Sequence, residues 1–166
     1  MERTVTLMGK PMPVLGPELK VGDPAPDFHL IDSSMNEVSL DGTGKKTRIF
    51  SVIPSLDTPV CDAQTKRFND EVAKHPDLEV YTVSMDLPFG QKRWCSNFGV
   101  DRVKMLSDHR DGSFGENYGT LIKDLRIESR AIFVVDEDNQ IKYVEYVGDV
   151  GSPPDFEAAL AAAQEE

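Results

Sequence analysis

Apolar residues in this chain fall into two rhythms. One is the short, nearly continuous run that suits a buried strand: Arg48-Ile49-Phe50-Ser51-Val52-Ile53, Leu78 to Met85, Val103 to Leu106, Ala131 to Val135 and Ile141 to Val147. Each is bounded by residues that favour turns. The other is helical. Val60, Gln64, Phe68 and Val72 share one face, and Gln91 to Phe98, Tyr118 to Ile122 and Asp155 to Gln164 read as further helical segments. Pro153 and Pro154 precede the last of these. Near the start, Thr4 to Leu7 and Pro13 to Leu15 flank Gly9-Lys10-Pro11, an N-terminal hairpin over about residues 1–16. The Pro/Gly-rich stretch Val21 to Asp27 is a loop, and Phe28 to Ile31 and Glu37 to Leu40 are short strands around Ser33 to Asn36. Asp136 to Gln140 joins two strong strand signals and predicts a hairpin. Strands alternating with helices and closed by a hairpin and a helix predict an α/β fold, a central mixed sheet flanked by helices.

Composition narrows the class. The chain has 166 residues, of which 39% are hydrophobic and 28% charged, which fits one globular domain spanning 1–166. Its net charge of −11 argues against nucleic acid or an anionic membrane as partner, because no cationic surplus exists to meet phosphate. The first residues lack the apolar core of a signal peptide, and no apolar run approaches the roughly 18 residues of a membrane span. The expected location is therefore cytoplasmic.

The candidate chemistry centres on Cys61. A strand-like run leads into Pro54-Ser55-Leu56-Asp57-Thr58-Pro59-Val60-Cys61, and a helix-like run leaves it. Thr58 suits an N-cap and Pro59 the first helical position, which puts Cys61 in the first turn, among free N–H groups and the positive end of the helix dipole. A thiol so placed ionises more easily, and the thiolate is the nucleophile. The other cysteine, Cys95, makes no Cys-x-x-Cys with it. His29, His75 and His109 are scattered and complete no zinc spacing with either thiol, so no metal is expected. On its own, Cys95 reads equally as a small buried hydrophobe.

Pro54-x-x-x-Thr58-x-x-Cys61 resembles the active-site signature of peroxiredoxins, and Ser55 to Cys61 resembles the thiol peroxidase, atypical two-cysteine branch of that family. Leu19 to Phe28, Met85 to Phe89, Gln91 to Cys95 and Arg130 to Asp136 agree with that branch, so the likeness runs nearly end to end. One departure is local: Ser96-Asn97-Phe98-Gly99 is bulkier than the small residues expected after Cys95. The resemblance implies a thioredoxin-like fold with an added N-terminal hairpin, a homodimer, no cofactor, and reduction of hydroperoxides at the expense of thioredoxin.

Magnitudes say what such a site must contain. A helix end contributes about 0.3–1 kcal/mol, less than the roughly 1.4 kcal/mol of one pKa unit, so it cannot alone ionise a thiol that starts near about 8.5. Asp57 and Asp62 oppose ionisation unless they point away. A cation about 4 Å away contributes up to roughly 4 kcal/mol at an effective dielectric near about 20. The resemblance assigns that cation to Arg130, whose bland alternative is a surface charge paired with Glu128. It also assigns peroxide contacts to the Thr58 hydroxyl, a pocket role to Pro54, and to Cys95 an intrachain disulfide with oxidised Cys61. That disulfide leads us to expect thiols apart when reduced and local unfolding near Cys95 to join them. Phe50, Met85, Phe89 and Trp94 read either as an apolar pocket for alkyl hydroperoxides or as plain core. The competing functions are a thiol–disulfide carrier that never meets peroxide and a non-enzymatic binding domain.

Overall fold

The structure is a computed structural model that describes residues 3–164. In chain order the elements are β1 (Arg3–Leu7), β2 (Lys10–Leu15), β3 (Leu30–Asp32), β4 (Glu37–Val38), a 3-10 turn at Asp41–Thr43, β5 (Thr47–Val52), α1 (Pro59–Val72), β6 (Leu78–Ser84), α2 (Pro88–Phe98), β7 (Lys104–Ser107), α3 (Ser113–Tyr118), β8 (Leu121–Ile122), β9 (Ile127–Glu128), β10 (Ala131–Val135), β11 (Ile141–Tyr146) and α4 (Phe156–Gln164). A seven-stranded sheet has the order β11-β10-β5-β6-β7-β3-β4. Its β5–β6 and β6–β7 pairs are parallel, and β10 runs antiparallel to both β5 and β11. This is the mixed sheet that the strand and helix rhythms predict, in the thioredoxin-like arrangement that the resemblance implies.

The central strands carry continuous apolar runs because both faces are covered. Side chains alternate along a strand. Ile49 and Ile53 therefore pack with Ile132 and Val134 against Phe68, Val72, Trp94 and Leu160 of the helices. Phe50 and Val52 join Phe133, Phe28, Phe114 and Tyr118 on the opposite face. Each fully buried side chain of this size contributes about 1.5–3 kcal/mol of hydrophobic stabilisation. The same alternation carries Arg130, just ahead of β10, to the face of Ile132 and Val134, where α1 lies.

Two expectations change. Of Tyr118 to Ile122 only Tyr118 is helical, as the last residue of α3. The segment's apolar spacing matches a helix, but Gly119 caps α3 in the left-handed conformation, with φ of 75°. A side chain at Gly119 would collide with the Pro17 carbonyl. Leu121 and Ile122 then pair with Leu15 and Val14 of β2 and with β9, so the N-terminal hairpin belongs to a second, four-stranded sheet, β1-β2-β8-β9. The proposed apolar pocket also dissolves: Phe50 lies in the far core, Trp94 packs on the α1 side, and Phe89 is 70% exposed.

Candidate active site

Strand β5 delivers the chain to the site. Past its end, Ile53 N–H donates to the Val83 carbonyl, and residues 54–58 turn toward α1. Asp86 holds this turn: Ser55 Oγ donates to its Oδ1 at 2.8 Å, and Leu56 N–H and Ser84 Oγ donate to Oδ2 at 2.9 and 2.8 Å. Pro54 is buried at the start of the turn. Thr58 takes the N-cap position in an extended conformation, φ −111° and ψ 146°, and Pro59 opens the helix. The Thr58 hydroxyl does not cap the helix: it donates to the Ser55 carbonyl at 2.9 Å and is exposed. The Thr58 carbonyl accepts the first helical bond, from Asp62 N–H.

Cys61 lies in that first turn and is 0% exposed. Arg130 Nη2 donates to its sulfur at 3.2 Å. The guanidinium, 2% exposed, is fixed on every side: Nε and Nη2 donate to the Val150 carbonyl at 3.1 and 2.9 Å, and Nη1 donates to Gln64 Oε1 at 2.7 Å. Gln64 in turn donates from Nε2 to Ser51 Oγ at 2.6 Å. Among the described residues no carboxylate pairs with Arg130, and its alternative partner Glu128 is turned elsewhere. The acceptors around the buried guanidinium are thus the Val150 carbonyl, the Gln64 amide oxygen and the Cys61 sulfur. Asp57 is exposed, and Asp62 is engaged by Lys66 at 2.7 Å and Trp94 at 3.1 Å. A depression of about 370 Å3, bordered by Pro59, Val60, Gln64, Pro153 and Phe156, opens beside this turn.

The structure thus joins Cys61 and Arg130, places Pro54 and Thr58 on the turn that leads to Cys61, and leaves Cys95 on another helix, not bonded to Cys61. Cys95 sits on α2 and lines a groove of about 750 Å3 with Lys92, Ser96, Lys104 and Met105. Both thiols are free. Burial alone pushes the Cys95 thiol up to about 11, so it stays protonated at neutrality. Sequence reasoning missed Gln64, Ser51 and Asp86 as site-shaping residues. Gln64 did leave a signal: it is a polar residue on an otherwise apolar helix face, three positions after Cys61.

Glu128 is wholly buried, its Oε2 accepting from Thr120 Oγ1 at 2.9 Å. Desolvation, reinforced by the neighbouring Asp108 carboxylate, raises its carboxyl well above the ordinary range.

The redoxin family model matches residues 20–160. Thiol peroxidases from Halalkalibacterium halodurans and Bacillus subtilis are 50% and 51% identical over 161 and 160 residues, covering 97% and 96% of this chain and the same shares of their own. Among solved structures, a peroxiredoxin-like protein from Aquifex aeolicus superposes with a TM-score of 0.91 at 38% identity, over 98% of this chain and 96% of its own. A thiol peroxidase from Chromobacterium violaceum, at 23% identity, shares the fold with a TM-score of 0.88 over 97% of this chain and 95% of its own. Half-identical to thiol peroxidases along almost its whole length, this chain belongs to the redoxin family, in its thiol peroxidase group.

Proposed function

We propose that this chain is a thiol-dependent peroxidase in which Cys61 is the attacking sulfur. The observation that carries the reading is the 3.2 Å contact from the buried Arg130 guanidinium to a sulfur in the first turn of α1. The Cys61 thiolate attacks the terminal oxygen of a hydroperoxide. The O–O bond breaks, the terminal OH passes to the sulfur as a sulfenic acid, and the departing hydroxide or alkoxide takes a proton from solvent to leave as water or an alcohol. Arg130 faces the charge that moves from sulfur to the departing oxygen. Thr58 serves the peroxide by exchanging its Ser55 carbonyl partner for a peroxide oxygen, and Pro54 keeps water from the sulfur. The Cys95 thiol then attacks the sulfenic sulfur, expelling water and forming an intrachain disulfide. A dithiol donor, thioredoxin, returns both sulfurs to thiols. We further read residues 1–166 as one thioredoxin-like unit that works as a cytoplasmic homodimer. Among the described residues no helix is long and apolar enough to cross a membrane.

The test is a mass map of the sulfurs after one equivalent of hydrogen peroxide. Wild type should yield a Cys61–Cys95 disulfide, Cys95→Ser a single oxygen on Cys61, and Cys61→Ser no rapid oxidation at all. Unmodified Cys61 beside oxidised Cys95 would overturn the assignment.

A further inference from the structure

Two side-chain pairs at i,i+4 spacing, one on each of two helices, close a ring across the contact between α1 and α2. On α1, Asp62 and Lys66 form an ion pair of 2.7 Å. On α2, the rings of Trp94 and Phe98 have centroids 5.3 Å apart. Trp94 Nε1 donates to Asp62 Oδ2 at 3.1 Å, and Lys66 Nζ stands 4.1 Å from the centroid of the Phe98 ring. Asp62 directly follows Cys61, and Trp94 directly precedes Cys95. The quartet therefore ties the neighbour of one thiol to the neighbour of the other.

The two halves of α2 are held differently. Its buried residues are Pro88, Gln91 and Trp94. Gln91 fastens the first half, donating to Ser84 Oγ and the Leu106 carbonyl at 3.2 and 3.0 Å. In the second half, Ser96, Asn97 and Phe98 are exposed, and Gly99 ends the helix at φ 66°. Trp94 is the anchor of the half that carries Cys95, and its indole N–H is tied to the first turn of the helix that carries Cys61. The sulfur in that first turn is fully buried. An oxygen added to a fully buried sulfur has to displace its surroundings, and Asp62 is the next residue along.

We propose that Asp62, Lys66, Trp94 and Phe98 form a latch that keeps the second half of α2 wound until Cys61 is oxidised, which makes Trp94 and Lys66 positioning residues for disulfide formation. The inference rests on the reading of Cys95 as the thiol that resolves the Cys61 sulfenic acid. Opening the latch frees Cys95 from its wound, desolvated site, while the Gln91 anchor confines the unwinding to the end of the helix.

Two rates separate this role from a merely structural one. The first is peroxide consumption by Cys61. The second is disulfide formation, followed by rapid quench and mass analysis. Trp94→Phe removes the indole donor and keeps an aromatic ring; Lys66→Met removes the charge and keeps the stem. In Trp94→Phe we expect the first rate within about twofold of wild type and the second about tenfold faster, the size of a lost charge-assisted hydrogen bond. Cys61 sulfinic acid at high peroxide should fall in step. Lys66→Met should accelerate the second rate about threefold, a gain that added salt diminishes. Because Trp94 is the sole tryptophan, its fluorescence follows the opening directly in wild type and in Lys66→Met. Disulfide formation that is unchanged or slower in both variants, with the peroxide step retained, would overturn the latch. A wild type that forms no Cys61–Cys95 disulfide would instead overturn the reading on which the latch rests.

Discussion

The surroundings of the two cysteines are opposites. Cys61 stands where a central strand, a helix N-terminus and a buried guanidinium converge, and every polar atom of Arg130 and Gln64 around it has a fixed partner. Cys95 stands on a helix whose far end is exposed, glycine-capped and held through Trp94. Its thiol is pushed up to about 11 by burial, with no cation offsetting that penalty. The contrast suits two different tasks. A sulfur that must stabilise charge at the moment of reaction needs fixed donors. A sulfur that must travel needs a segment that opens cheaply, and one held in reserve is safer protonated.

The contrast can be broken most severely at Arg130. Arg130→Gln should lower the rate of the peroxide step by about 100-fold, the size of a lost hydrogen bond to a charged group, as read by stopped-flow mixing with hydrogen peroxide. The disulfide, once Cys61 is oxidised, should still form. Next comes Gln64→Glu. A carboxylate there would take the guanidinium for itself in competition with the sulfur. We expect a loss of about tenfold or more in kcat/KM for hydroperoxide, with far-UV circular dichroism unchanged.

On the Cys95 side, Gly99→Ala sharpens the comparison. The new methyl meets open space, but a φ of 66° disfavours any side chain by about 1 kcal/mol. The end of α2 should fray, global stability should fall by no more than that amount in urea titration, and hydrogen exchange should quicken over 95–100 and not over 59–72.

The smallest expected effect lies away from both sulfurs. Burial, reinforced by the Asp108 carboxylate, raises the Glu128 carboxyl well above its ordinary range. Below about 4.5 its carboxyl is protonated in folded and unfolded chains alike and costs nothing. As pH rises, the unfolded chain releases that proton more readily than the folded one, so stability falls. Glu128→Gln should remove this loss: its Tm should exceed that of wild type at pH 8 and approach it at pH 5, with peroxide turnover little altered.

Much of this was legible in the residues themselves. Continuous apolar runs at β5, β6 and β10 announced strands covered on both faces, and Thr58-Pro59 announced a helix start two residues ahead of Cys61. What the residues concealed depended on distant partners. Tyr118 to Ile122 has a helical spacing, and its strand pairing follows from Gly119 packing against Pro17, a contact that no local pattern encodes. Asp86 reads as an ordinary loop acid, yet it fastens the turn before Cys61 from another strand's end. Phe50 and Trp94 both read as apolar, and only the alternation of β5 shows that they lie on opposite faces of the sheet. Thr58 was correctly read as the cap position, but its hydroxyl serves the turn before it and not the helix.

The central claim is that Arg130 makes Cys61 the peroxide-cleaving sulfur. The most direct measurement is the second-order rate of sulfenic acid formation at Cys61 with hydrogen peroxide at neutral pH, in Cys95→Ser and in Cys95→Ser with Arg130→Gln. The account predicts a stoichiometric, rapid burst in the first protein and a rate lower by about 100-fold in the second. Equal rates in the two proteins, or no burst in the first, would contradict it.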